Sequence, residues 1–545
     1  MRGAVVLLFA AAAFAQEPGT VRPVAIHVDA SNAVAPWKPV WSYFGYDEPN
    51  YTTAPYGHKL IVELGALGNV HIRTHNLLTT GDGTPALKWG STNAYTETPD
   101  GKPVYDWTIL DQIFDVWVNA GITPFVEIGF MPEALSTRPR PNKHDWPRTP
   151  LQAGWAYPPK DYEKWGELVR QWDRHEAMRY GFHEVEKWLW EVWNEPDIFY
   201  WQGTPEEYDK LYDAAARAVK SVDSRMRVGG PATTGPSGRS GGPYLRQFLD
   251  HCARTGVPLD FISYHAKGHP ELVDGHVRMG LANNLRDVAA GLDIVGEFPQ
   301  FRNLPIILSE SDPEGCGACT ARTHPENAYR NGSLYPAYTA AALGSILHLA
   351  DRAHANIEGM LTWAFEFEDQ PYFDGFRTLA TNGIDKPILN LFRMEAKMSG
   401  DRLSVTSDGA VPLDEILHYG VLGPPDIDAI ATTSGRSLSI LVWNYHDEDT
   451  VSTPTDVAIR FAGLPPQAKR VRIDDYLIDG DHSNSWTAWK NMGSPQRPTH
   501  AQYTALETAG QLEHFDPGRE VVLDGPLVLK MKLPRQAVSL VQLSW

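Results

Sequence analysis

Between about residue 40 and residue 390, short apolar runs alternate with amphipathic segments, the pattern of βα units wound around a parallel sheet. Eight strands are predicted: Trp41 to Tyr46, Val70 to Thr74, Thr123 to Ile128, Trp188 to Trp193, Met226 to Gly229, Phe261 to His265, Pro305 to Ser309 and Met360 to Ala364. The intervening segments carry helical spacing. Over Ile109 to Asn119, the apolar Ile109, Ile113, Phe114 and Trp117 fall on one face. Asp161 to Tyr180 and Pro205 to Val222 read similarly, the second with Thr204 as N-cap and Pro205 in its first turn.

Eight such repeats predict an α/β fold, a (β/α)8 TIM barrel over residues 40–400 with long loops. An open dinucleotide-binding sheet would show a glycine-rich fingerprint where a strand hands over to a helix, and neither GxGxxG nor GxxxxGK[ST] occurs there. Beyond Arg402 the pattern becomes alternating strands with turns between them: Leu438 to Tyr445, Val457 to Phe461, Arg470 to Leu477, Leu527 to Leu533 and Val538 to Leu543. Residues 401–545 therefore predict an all-β module, a C-terminal β-sandwich domain packed on the barrel. Segment 16–39, with a strand at Val24 to Val28, joins that sandwich from the N-terminal side. The module reads as a structural prop or as the subunit contact of an oligomer rather than as a polysaccharide-binding unit.

The first 15 residues read as an export signal: Arg2, the apolar run Ala4 to Phe14, and the small residues of Ala13-Phe14-Ala15 before a cleavage point at Gln16. The run is too short to span a bilayer, and no later stretch is long and apolar enough, so the expectation is a secreted or periplasmic protein without a membrane partner. The formal charge of -19 argues against nucleic acid, whose binding relies on clustered cations, and fits a neutral ligand. The 18 Trp and 22 Tyr of the chain supply rings that suit sugar faces, although a large core also consumes them. Of three cysteines, Cys316 and Cys319 suit a local disulfide in an exported chain, and Cys252 a buried thiol.

In this barrel the active site forms at the C-terminal ends of the strands. Glu195 ends the fourth strand and Glu310 the seventh, which brings two carboxyl groups to one mouth. Hydrolysis of an acetal needs such a pair, one acid to protonate the departing oxygen and one carboxylate for the anomeric carbon. Asn194, just before Glu195, can hold the adjacent sugar hydroxyl, and Pro196 stiffens the turn. The other strand ends are polar as well, with Asp47 and Glu48, Arg73, His75 and Asn76, Glu127, His265 and Lys267, and Glu366. Asp47, Arg73, His75, Asn194, His265, Lys267 and Glu366 are read as substrate-binding residues, with Trp363 as an apolar floor. A lone His or Arg of this kind is as often structural; the set together describes a polar pocket. No His-x-His stands on the first strand and no HExxH helix occurs, so neither a metal nor a cofactor is expected.

These residues lie in longer stretches: Phe44-Gly45-Tyr46-Asp47-Glu48-Pro49-Asn50-Tyr51, Thr74-His75-Asn76-Leu77-Leu78-Thr79-Thr80-Gly81-Asp82-Gly83, Trp193-Asn194-Glu195-Pro196-Asp197, Glu310-Ser311-Asp312-Pro313-Glu314-Gly315-Cys316 and Thr362-Trp363-Ala364-Phe365-Glu366-Phe367-Glu368-Asp369-Gln370. They resemble glycoside hydrolase family 39, especially its β-xylosidase-like members, over roughly residues 40 to 400. The resemblance implies retention by double displacement, with Glu195 as acid/base and Glu310 as nucleophile. It also implies an oligosaccharide substrate, with xylose cleaved from non-reducing ends. The alternatives are another sugar within the family, β-glucoside, β-galactoside, arabinoside or α-L-iduronide, and a carbohydrate-binding protein without catalysis. Ser311-Asp312 after Glu310 departs from many family members, which carry an aromatic or other residue there.

Overall fold

The computed structural model describes residues 22–138, 141, 143–145, 150–152, 154–313 and 319–545. The predicted export signal lies outside them, as does Cys316. Eight parallel strands close into a barrel: β1 (Tyr43–Tyr46), β2 (His71–Thr74), β3 (Thr123–Ile128), β4 (Leu189–Val192), β5 (Arg227–Thr233), β6 (Phe261–His265), β7 (Ile306–Glu310) and β8 (Ile357–Trp363). All eight overlap the predicted strands. The ends move: β5 runs on to Thr233, and Glu310 is the last residue of its strand rather than the first beyond it.

Strand periodicity explains how one barrel holds both a core and a charged mouth. Tyr43, Phe125, Leu189, Phe261, Ile307 and Leu361 point inward and pack as an apolar layer with the indole of Trp363. Two residues further along β3 and β4, the same inward face carries Glu127 and Glu191. Trp363 can lie over this layer because β1 has Gly45 beside it; a Cβ there would stand 2.4 Å from the indole.

The helices cover the outside as their spacing predicts. Helix Tyr162–Tyr180 starts on Asp161, whose side chain accepts from the N–H groups of Glu163 and Lys164. Helix Pro205–Val222 starts on a capping box of Thr204 and Glu207.

The second unit is a nine-stranded mixed sheet in which Val24–Pro36 lies between Asp401–Ser407 and Thr455–Ala462. Leu527–Leu533, at one edge of the strand order, packs against Ala537–Ser544 near the other, so the sheet folds over its own apolar core as a sandwich. The module is not all β. It carries helices Ser485–Asn491 and His500–Ala509, the first begun by the Asn484 side chain and the second by a capping box of Thr499 and Gln502. Helix Leu334–Ala353 of the barrel packs on strands Ser437–Tyr445 and Ala537–Ser544, with Trp443 against Gly344. Among the described residues no helix is long and apolar enough to cross a membrane.

Candidate active site

Just past β4 the backbone turns through left-handed conformations at Trp193 (φ 76°) and Glu195 (φ 43°). Strain of this kind persists only where surroundings enforce it. Here Glu195 N–H donates to Ala232 O at 2.9 Å and the Trp193 indole to Tyr200 O at 3.1 Å. The turn lifts Glu195 out of the strand while Asn194 stays buried below it.

On β6 and β7, His265 and Glu310 are register partners. His265 Nδ1 lies 2.9 Å from Glu195 Oε1 and 3.8 Å from Glu310 Oε1, so one imidazole edge touches both carboxylates. Lys267 Nζ donates to Glu310 Oε2 at 2.7 Å and to Asp312 Oδ1 at 2.6 Å. Arg73 Nη1 and His75 Nε2 stand 3.4 and 3.5 Å from Glu310 Oε1.

Burial disfavours the ionised form of Glu310, but Lys267, His265 and His75 outweigh it and hold its carboxyl well below the usual carboxylate range. It is a poised anion.

Beneath it Arg73 is fully buried and ties the layer together. Its guanidinium donates to Glu191 at 2.5 Å and to Asn194 Oδ1 at 3.0 Å, and pairs with Glu127 at 3.2 Å. With Oδ1 so occupied, the Asn194 amide presents its N–H groups as donors. His75 Nδ1 bonds Glu127. Burial works against the His75 cation, but Glu127, Glu310 and Asp47 raise its pKa to about 9.

A second charged wall stands on the β1 side. Asp47 Oδ2 accepts from Lys88 Nζ at 2.6 Å and from the Trp363 indole at 3.2 Å, while Oδ1 lies 3.5 Å from His75 Nε2. Although burial opposes it, Lys88, His75 and Arg377 bring Asp47 down to about 2. Neighbouring Glu48 is pushed up to about 8 by burial and by Asp47. Arg377 Nη1 pairs with Asp312 at 3.1 Å, closing a loop of charges from Lys267 to Lys88.

The structure thus brings together Glu195, Glu310, Asp47, Arg73, His75, Asn194, His265, Lys267 and Trp363. Glu366 stands apart. Its carboxylate accepts from Gly383 N–H at 3.2 Å, and burial raises its pKa to about 8, with Lys386 and Asp385 as its charged neighbours. Three residues past β8, Glu366 has its hydrogen bond with Gly383 rather than with a member of the pair.

Sequence reasoning missed Glu191, Lys88, Asp312, Arg377 and Tyr200 as members of the site. Period-2 spacing from inward Leu189 would have found Glu191; Lys88 and Arg377 come from long loops with no local pattern. Tyr200 lies within reach of the same charges: burial, then Asp47, Glu195 and Glu310, raise the pKa of its phenol. Cys252 is the buried free thiol expected of it, and Cys319 is disulfide-bonded.

One other group among the described residues has metal-ligand chemistry, Asp111, His175 and Glu176 between two outer helices. There His175 and Arg179 already stand 2.6 and 3.2 Å from the Asp111 carboxylate.

A model of the family described as glycosyl hydrolases family 39 matches residues 24–521. A β-xylosidase of Caldicellulosiruptor saccharolyticus is 28% identical over 81% of this chain and 84% of its own length. An α-L-iduronidase of Mus musculus is 26% identical over 95% of this chain and 80% of its own. Among solved structures, a monomeric β-xylosidase from Caulobacter crescentus CB15 superposes with a TM-score of 0.75 at 23% identity, covering 95% of this chain and 99% of that one.

Proposed function

The chain belongs to glycosyl hydrolases family 39 and is a glycoside hydrolase, and from that premise we propose an exported, retaining, exo-acting β-xylosidase. Glu310 attacks the anomeric carbon as the bond to the leaving oxygen breaks, and Glu195 gives that oxygen its proton. Glu195 then takes a proton from water, whose hydroxyl joins the anomeric carbon and releases Glu310.

The observation that carries this reading is the reach of His265 Nδ1 to Glu195 and Glu310, at 2.9 and 3.8 Å. Even a straight line through that nitrogen barely spans the lower edge of an inverting gap, about 6.5 to 9.5 Å, so the geometry supports the closer spacing of about 5 to 5.5 Å used in double displacement. The donors on Glu310 support its role as the anion, and the Asn194 amide suits the hydroxyl beside the reacting carbon.

Xylose is supported by the β-xylosidase relatives and by charge. Lys267 and Arg377 both pair with Asp312, and Arg73 is tied to Glu191, Glu127 and Asn194, which favours a neutral pentose over a uronic acid. Exo action is supported by the Asp47 and Lys88 pair, which stands at the β1 side across His75 from the nucleophile as an end wall. Export rests on the N-terminal pattern, and a mature chain beginning at Gln16 by mass spectrometry would establish it.

The test is kinetic. In Glu195→Ala acting on an aryl xyloside with a good leaving group, the first step survives and the second stalls, which appears as a burst followed by slow turnover. Undiminished steady-state turnover in that variant refutes the assignment. A panel of aryl glycosides, uronides included, decides the sugar.

A further inference from the structure

Apart from the catalytic pair, a cavity of about 510 Å3 lies in the seam between the barrel and the sandwich. Its barrel wall is the segment from Ala328 to Leu334, and its sandwich wall carries Thr450, Trp486, Lys490 and Arg535. Neither Glu195 nor Glu310 lines it. Ligand pockets of about 300 to 1,000 Å3 are found preferentially at such domain boundaries.

The turn into strand Ala537–Ser544 presents Arg535 to this space. Gln536, buried with φ 62°, donates its amide to His446 O at 2.7 Å and to Glu448 O at 3.1 Å, which fixes the turn. Arg535 then gives Nη1 to the Thr450 hydroxyl at 2.6 Å. Its other edge, Nε and Nη2, bonds nothing among the described residues, and Nε is buried. Burial draws the guanidinium below its usual pKa, with Glu448 opposing. A buried N–H without an acceptor is unfavourable, and this free edge has the spacing of a planar carboxylate.

Helix Ser485–Asn491 supplies the rest of the wall. Trp486 stacks on Trp489 with ring centres 5.1 Å apart, and Lys490 Nζ stands 5.0 Å from the Trp486 ring. Lys490 is exposed, so its long side chain can move from the ring to a ligand. Among the described residues neither Arg535 nor Lys490 has a carboxylate partner, although the chain holds 67 Asp and Glu. The acid in the wall, Asp449, accepts from Val277 N–H at 2.8 Å. Opposite, helix Leu334–Ala353 begins in the barrel wall with no side-chain cap bond from Ser333, and a helix start favours negative charge.

We infer that this seam cavity binds a uronic acid unit of an acidic glycan, its carboxylate on Arg535 and Lys490 and its ring beside Trp486. A sugar rather than a bare anion follows from the aromatic wall and from the chain's being a glycoside hydrolase. The site is independent of which glycoside the catalytic pair cleaves.

The probe is trigalacturonate, a chain of three uronic acids, titrated into the full-length enzyme by calorimetry beside the neutral galactose trisaccharide. Wild type binds the acid saturably and the neutral sugar at least tenfold more weakly. Arg535→Gln and Lys490→Gln each weaken the acid about tenfold, the value of a charge-assisted hydrogen bond, while kcat/KM on an aryl glycoside stays within about twofold. Should one variant fail to fold, the other decides. No binding in wild type, equal affinity for the neutral sugar, or unchanged affinity in a folded variant overturns the inference. The last of these is also the result expected if the probe binds at the barrel mouth instead. Acetate at the probe's concentration leaves binding unchanged, and displacement by it overturns the claim for a sugar.

Discussion

Replacing Lys267 by Met removes the closest cation from the nucleophile while keeping most of the side-chain volume. Its Nζ stands 2.7 Å from Glu310 Oε2, against 3.4, 3.5 and 3.8 Å for Arg73, His75 and His265 at Oε1. Because Coulomb attraction falls with distance, Lys267, although partly exposed, is the largest favourable contributor, with burial opposing it. An opposite charge this near lowers a carboxyl pKa by about 1 to 3 units, roughly 1.4 to 4 kcal/mol. The sign follows. A carboxyl depressed in the folded enzyme stays ionised until the pH falls through its lowered value, so the wild-type acid limb lies below the ordinary carboxylate range. In Lys267→Met the limb of kcat/KM moves up by about 1 to 3 units. Asp312 keeps Arg377 at 3.1 Å and is not stranded by the change. The assay is kcat/KM on an aryl xyloside against pH, with stability followed in parallel so that acid unfolding is not mistaken for titration. An acid limb that stays in place refutes the claim that Lys267 sets the ionisation of Glu310.

Three further outcomes follow from the same geometry. His75 has a pKa raised from 6.5 to about 9, so its stabilising contribution is complete below about 6.5 and is lost as the pH rises through about 9. The thermal midpoint of wild type should fall more steeply across that window than that of His75→Gln, and equal slopes contradict the assignment. Glu366→Gln should leave kcat/KM within about twofold, since that carboxylate serves Gly383 rather than the pair, and a loss of two orders of magnitude would restore it as a substrate contact. Gly344→Val sets a Cβ 2.6 Å from the Trp443 ring at the seam between the barrel and the sandwich, so overpacking should cost about 1 to 3 kcal/mol by denaturant midpoint.

Much of this was legible from the chain because βα repetition is a local signal. Each strand is an apolar run bounded by polar ends, and each helix shows its own periodicity, so the eight strands and the positions of Glu195 and Glu310 at one mouth follow from spacing alone. The barrel interior was harder. Glu191 sits in the tryptophan-rich run that also makes β4, and only the inward phase of Leu189 separates a core position from a charged one. Arg377 and Lys88 reach the site from long loops whose course depends on tertiary packing. Glu366, read from the sequence as a substrate contact, depends on tertiary packing in the same way. Past Trp363 its carboxylate accepts from Gly383 N–H, with Lys386 and Asp385 as its charged neighbours. In the second module the short helices Ser485–Asn491 and His500–Ala509 were hidden by the surrounding strand pattern, although Thr499 and Gln502 carry a capping-box signature.

Double displacement from Glu310 is the claim on which the rest depends, and a covalent trap tests it most directly. A 2-fluoro xyloside with a good leaving group forms the glycosyl enzyme readily and hydrolyses it slowly, so proteolysis and mass spectrometry can locate the label. The account predicts one added sugar per chain, carried by the peptide that contains Glu310, and loss of labelling in Glu310→Gln. A label on any other residue, or turnover of a xyloside with inverted product and no adduct, would contradict it.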